Sequence, residues 1–198
     1  MDSAAAICNL RHHHENSWRR SYPHFAKIVR SMSLQIGVEI GVAFGGHAEH
    51  LLENTSVHRL VGIDPYLHIP DYDDAMNLPQ EVFDDLYFYV LGRLSRFGNR
   101  YFLVRGTSKE VAPHVGPIDF VFIDGDHSYQ GCRNDMVNYF PLLRPGGILA
   151  GHDYGYHEFP GIQKSVDEFC VANGLTLHVE PETVWWAQKS DAAKAIGS

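Results

Sequence analysis

Cysteine is scarce in this chain. The three present, Cys8, Cys132 and Cys170, are odd in number, widely spaced and form no CxxC pair. That excludes a disulfide framework or a zinc knuckle as the basis of the fold, and a reducing compartment is the default. Apolar runs of membrane length are missing too. The opening MDSAAAICNL gives way too soon to polar residues to read as a signal peptide, so the expected location is cytoplasmic. Positive charge is also in short supply: 16 Lys and Arg face 24 Asp and Glu, a formal net charge of −8. Phosphate backbones and anionic lipids need clustered cations, so neither nucleic acid nor a membrane is an expected partner. Repeats, low-complexity tracts and linkers are lacking as well. What is left, 198 residues at 44% hydrophobic content, suits one compact domain with a sizeable core.

Residues 1–17, with His12, His13 and His14 in a row, are expected to form an irregular, loosely docked arm, the histidines solvated rather than metal-bound. The pattern over 18–32 is helical, with Trp18, Tyr22, Phe25 and Val29 at three- and four-residue steps despite Pro23. Short apolar strands are predicted at 36–40, 60–63, 101–104, 120–123 and 148–150, each followed by a helical stretch. The helix over 80–97 carries Val82, Leu86, Val90, Leu94 and Phe97 on one stripe. The helix after the fourth strand turns Cys132 and Met136 inward, which makes Cys132 a core residue rather than a nucleophile. The helix opening at Pro160 does the same with Ile162, Val166, Phe169 and Cys170. Two alternating strands, 175–179 and 183–188, joined by Glu180-Pro181-Glu182, read as a closing hairpin. Five β-α repeats and a hairpin imply an α/β fold: a seven-stranded, mostly parallel sheet with an antiparallel C-terminal hairpin strand and helices on both faces. Residues 66–79 form a long acidic loop containing Asp71, Asp73 and Asp74. Loops of that length are usually functional, and this one reads as a substrate lid.

The stretch with most chemistry in it is Ile118 to Tyr129. The wholly apolar Phe120-Val121-Phe122-Ile123 breaks into Asp124-Gly125-Asp126-His127-Ser128-Tyr129. In open α/β sheets ligands sit beyond the carboxyl ends of the strands, where this run delivers acids and an imidazole; a helix cap at Asp126 or Ser128 is the competing role. At the first strand's exit, Glu39-x-Gly41-x-x-x-Gly45-Gly46 reads as a nucleoside-cofactor loop or simply as a tight turn. Asp64, ending the second strand, can take both hydroxyls of a ribose, which suits NAD and S-adenosylmethionine equally. Glu39 would repel a pyrophosphate but welcome an ammonium group. The dinucleotide fold also lacks the closing hairpin, so S-adenosylmethionine is favoured.

These features together resemble a class I S-adenosylmethionine-dependent methyltransferase, with a Rossmann-like fold, over residues 18–198. The run from Phe122 to Tyr129, with His152-Asp153 later, is similar to the metal-dependent O-methyltransferases of antibiotic sugars (the macrocin and mycinamicin type) and to cephalosporin-hydroxylase-like proteins. The resemblance implies cofactor contacts from Glu39, Gly41, Val42, Gly45, Asp64 and Pro65, with Gly106, Thr107, Ser108, Asp124 and Gly125 flanking the adenine. It also implies magnesium or another divalent metal on Asp124, His152 and Asp153, and His127 with Asp124 as the catalytic pair. His152 stands where those relatives carry a glutamate, which weakens magnesium or shifts preference toward manganese, iron or zinc.

The expected reaction is O-methylation of a small-molecule hydroxyl, of a sugar, catechol or other natural-product diol. His127, with its ordinary pKa near 6.5, would be the general base. Tyr66, Tyr129, Tyr154, Trp18 and Tyr22 are candidates for an acceptor wall, with packing as their competing role. Two alternatives stay open: an NAD-dependent oxidoreductase on a similar sheet, and a cofactor-binding protein without catalysis. The sequence is silent on oligomeric state and leaves a homodimer open.

Overall fold

The structure, a computed structural model, describes residues 3–71, 74 and 76–190. Asp73 of the acidic loop lies outside the described residues. In chain order the elements are α1 (Ser3–Trp18), α2 (Tyr22–Ser31), β1 (Ile36–Ile40), α3 (Gly46–Asn54), β2 (Arg59–Asp64), α4 (Gln80–Leu94), β3 (Tyr101–Arg105), α5 (Ser108–Val111), β4 (Ile118–Ile123), α6 (Tyr129–Tyr139), β5 (Leu143–Gly151), α7 (Pro160–Ala172), β6 (Leu177–Val179) and β7 (Trp185–Gln188).

The seven strands form one sheet in the order β3-β2-β1-β4-β5-β7-β6. β1 to β5 run parallel, and β7 inserts antiparallel between β5 and β6. Strand side chains alternate between two cores, as the two-residue period of a strand requires. Phe120, Phe122, Ile148 and Ala150 join one core with Phe25, Leu51 and Leu86. Val38, Val121, Ile123 and Leu149 join the other with Met136, Val166 and Phe169. Strand order reverses between β1 and β4, so the connections leaving those two strands diverge and open a crevice at their carboxyl ends. The predicted α/β sheet with its antiparallel hairpin strand is therefore the fold observed. Among the described residues no helix is long and apolar enough to cross a membrane.

The expected irregular arm is instead helix α1, with Ile7 and Glu15 buried and Leu10 and Trp18 packed on the core. Its stripe recurs at helical spacing but is interrupted by Arg11 and Glu15, which hid it from a reading based on apolar residues alone. Trp18 ends α1 rather than opening the next helix: the chain breaks at residues 19–21, and Pro23 falls in the first turn of α2, where a missing N–H costs nothing. A buried ionic clasp docks α1. Arg93 of α4 lies 2.7 Å from Glu15 and 2.6 Å from Glu49 of α3, and donates to the Phe44 carbonyl at 2.8 Å. Its guanidinium ties three helices together with its charge satisfied. Removing one member of such a buried set typically costs about 3–5 kcal/mol. Arg93→Ala is therefore expected to lower Tm by on the order of 10 °C and to expose α1 to limited proteolysis; an unchanged Tm and cleavage pattern would mean that apolar packing alone holds α1.

Candidate active site

The crevice opens into a cavity of about 1250 Å³. Parallel pairing brings its floor together: Ile40 lies opposite Ile63 and Ile123, and Ile123 opposite Gly151. Backbone bonds continue past the strand ends, from Gly41 N–H to the Ile63 carbonyl, Asp124 N–H to Ile40, and His152 N–H to Ile123, at 2.9, 2.8 and 3.1 Å. Three loops thus leave side by side. Gly41 has a φ of +84°, and a Cβ there would stand 1.9 Å from the Asp124 carbonyl oxygen, so only glycine lets the first and fourth loops approach.

Around this floor lie most of the residues predicted for the cofactor. Glu39, Gly41, Val42, Asp64, Pro65, Thr107, Ser108, Asp124 and Gly125 all line the cavity; Gly45 and Gly106 do not. Gly45 starts α3 and faces Val90 and Leu94, while Gly106 faces Val111 and Glu110. Glu39 is buried against His47, whose Nδ1 lies 2.8 Å from Oε1. Burial lifts the Glu39 pKa, opposed by the His47 contact. Its other oxygen, Oε2, is buried with no hydrogen-bond partner among the described residues. That orphaned acceptor fits a ligand ammonium group. Asp64 accepts from the Val42, Ala43 and Tyr66 N–H groups at 2.9, 3.1 and 2.8 Å, so it braces the first-strand loop as well as facing the cavity.

The other end of the floor holds a cluster absent from any single stretch of sequence. One ligand atom from each of Asp124, His152 and Asp153 lies within 4.8 Å of the others. Asp153 sits in the left-handed region at φ 61°, a strained setting that turns its carboxylate inward beside His152. His127 adjoins the cluster, its Nε2 3.2 Å from Asp153 and 3.8 Å from Asp124. Its Nδ1 meets Asp74 at 2.9 Å, and its ring stacks on Phe159 with centroids 4.2 Å apart. Burial disfavours protonation of His127, yet Asp124, Asp74 and Asp153 outweigh it and push the pKa up to about 10. His152, likewise buried, is raised to about 10 by Asp124 and Asp153. Burial opposes ionisation of Asp124, but the two histidines hold its carboxyl well below the usual range. The neighbouring carboxylates thus favour the imidazolium form of His127 over its ordinary range. Two carboxylates and an imidazole nitrogen converging on one point make a donor set that fits a divalent transition metal.

Residues 34–154 match a family described as "Methyltransferase domain". The chain belongs to that family. It is 30% identical over 132 residues to the uncharacterized protein R132 of Acanthamoeba polyphaga mimivirus, a match spanning 66% of this chain and 57% of that protein. The fold is shared with the O-methyltransferase of Bacillus cereus solved with SAH (TM-score 0.65, 15% identity, 86% of this chain and 81% of that one). It is shared also with TomG of Streptomyces achromogenes, an O-methyltransferase of tomaymycin synthesis solved with SAM (TM-score 0.65, 12% identity, 96% and 90%).

In this methyltransferase domain some predicted roles turn out to be local. Ser128 does cap α6, accepting from Gly131 N–H, while Asp126 accepts from Ser128 N–H. The cap and the cluster coexist because Asp124 and His127 point the other way. Of the aromatic candidates, Trp18 and Tyr22 line the cavity. Tyr66 is buried and donates to the Ala43 carbonyl; Tyr129 and Tyr154 donate to Glu168 and Asp167. Cys132 is buried, with its thiol pushed up to about 12 by that burial, which suits its core role. Sequence reading missed Asp74 and Phe159 as partners of His127, and His47 as partner of Glu39. Only His47 left a signal, eight residues after Glu39 on the first turn of α3.

Ser108 donates its hydroxyl to Asp135 on α6, a residue that also lines the cavity. Burial lifts the Asp135 pKa to about 6, the Ser108 hydrogen bond working against the rise. A carboxyl raised on folding stabilises fully below its unfolded pKa, and that stability is lost as pH climbs through the folded value. Asp135→Asn should therefore be more stable than wild type at pH 7.5, by on the order of 2 kcal/mol, and the difference should vanish near pH 4. Denaturant melts at the two pH values test this; equal stabilities at pH 7.5 would refute it.

Proposed function

We propose that this chain is an S-adenosylmethionine-dependent O-methyltransferase acting on a vicinal diol of a small molecule, a sugar or catechol, with a divalent cation at Asp124, His152 and Asp153. The observation that carries this reading is one cavity with a nucleoside-type loop at one end and the acid–histidine cluster at the other. A bound sulfonium supplies an already activated methyl group, and a bound cation supplies Lewis acidity toward a hydroxyl. The remaining work falls to this chain. Glu39 receives the cofactor's ammonium on its free Oε2. Asp64 holds the ribose while bracing the loop around it, and Thr107 with Ser108 borders the adenine. His127 takes the acceptor's proton on Nε2. A cation held by Asp124 and Asp153 would offset the charge that favours the imidazolium, which would leave His127 able to act as base.

The nitrogen donor His152 favours manganese, iron or zinc over magnesium, which prefers oxygen ligands. The lining residues include Asp126, Glu158 and Glu182 against a single lysine, Lys109, a negative balance that favours a neutral acceptor over a phosphorylated one or a nucleic acid. A nicotinamide dinucleotide would set its pyrophosphate against Glu39 and is disfavoured for the same reason. Three unpaired cysteines agree with a reducing, cytoplasmic setting.

Calorimetric titration with S-adenosylhomocysteine, before and after EDTA and with manganese restored, tests the cofactor. Binding in every case is expected, and none in any case would overturn the reading. Asp64→Ala should weaken that binding at least roughly tenfold, in line with a lost charge-assisted hydrogen-bond pair. His127→Ala should leave binding intact and lower turnover on a catechol acceptor by about 10²–10⁴-fold, the usual value of a general base. Unchanged turnover would remove His127 from the role.

A further inference from the structure

Asp74 belongs to the connection between β2 and α4, yet its Oδ2 lies 2.9 Å from His127 Nδ1, 53 residues away in sequence. Its side chain is 8% exposed, so the contact is shielded from water and is not a surface pairing. Its other oxygen, Oδ1, accepts from Met76 N–H at 2.7 Å, which fixes the carboxylate's orientation. The flanks of the connection are pinned. Gln80 accepts from His68 N–H and donates to the Tyr66 carbonyl, at 3.1 and 3.0 Å. Asn77 accepts from Ile69 N–H and donates to its carbonyl, at 3.0 and 2.8 Å. Both flanks are therefore tied to each other by side chains.

An imidazole has two nitrogens, and which of them serves the cavity depends on what the other one meets. Here Asp74 takes Nδ1 and Phe159 covers the ring face. Nε2 is left directed at Asp153 and Asp124. We propose that Asp74 is the positioning residue of His127: by accepting the Nδ1–H hydrogen bond it fixes the ring's rotation, so that Nε2 faces the cavity. What Nε2 then does rests on the methyl-transfer reading; the contact and its effect on the ring do not. A loop that only needed anchoring has its side-chain ties in Gln80 and Asn77 already, and would gain nothing from an acid aimed into the cavity.

The test is 15N–1H correlation spectroscopy of the histidine rings in the EDTA-treated protein at pH 7, with His127→Gln assigning the His127 signals. The expected result is a low-field Nδ1 proton for His127 that is lost in Asp74→Ala and moves upfield in Asp74→Asn, with thermal melts of both variants showing a folded protein. His127 ring signals unchanged in both variants would overturn the proposal, whatever the protein's activity. On a catechol acceptor with saturating S-adenosylmethionine, Asp74→Ala should lower kcat roughly 10–100-fold, with Asp74→Asn restoring part of it and KM for S-adenosylmethionine unchanged. If wild type methylates the acceptor, an unaltered kcat in Asp74→Ala would also overturn the positioning role. No transfer by wild type would count against the methyl-transfer reading alone, with the ring signals still deciding the role of Asp74.

Discussion

The close approach of two backbones at the end of the sheet is the constraint on which the site depends. Gly41 in its left-handed conformation meets the Asp124 carbonyl where any side chain would collide. The hydrogen bond from Asp124 N–H to the Ile40 carbonyl locks that approach. With the first and fourth loops held together, the nucleoside-type loop on one side and the acid–histidine cluster on the other share one cavity. His152 joins through the same device one strand further along, its N–H bonded to Ile123. Chemistry here is a consequence of strand register: a slip of one residue would turn Glu39 and the neighbours of Asp124 to the opposite face of the sheet.

Electrostatics gives the cavity its second property. Asp74, Asp124 and Asp153 crowd two imidazoles, and each imidazole answers by holding its proton. Two imidazoliums offset most of the charge of three carboxylates, which lets a folded domain tolerate buried acids at its heart. Metal ligands must be deprotonated to bind, so a divalent cation at Asp124, His152 and Asp153, as proposed, would compete with these protons.

Much of this was legible in the residues. Continuous apolar runs announced the five parallel strands and alternating ones the closing hairpin, all within a few residues, because strand periodicity is a local property of the chain. The Glu39-to-Gly46 loop and the Asp124-to-Tyr129 run were visible because their residues lie next to one another. Helix α1 was not, because its buried stripe includes Glu15, whose charge is met by Arg93 from 78 residues away. The true extent of β5, from Leu143 to Gly151, was hidden by Pro145 and a glycine pair that ordinarily mark a turn.

By itself, the sequence determined the fold class, the elements that carry the site, and the residue types gathered at their ends, since all of these follow from local periodicity and from polar residues placed after apolar strands. Tertiary structure alone decided the pairings: Asp74 with His127, Glu39 with His47, and His152 with Asp124. Each joins groups on different elements, and the protonation of His127 and His152 depends on such distances. Coulombic and hydrogen-bond effects fall off within a few ångströms, so the chemistry of these side chains did not exist until the sheet closed the gaps between them.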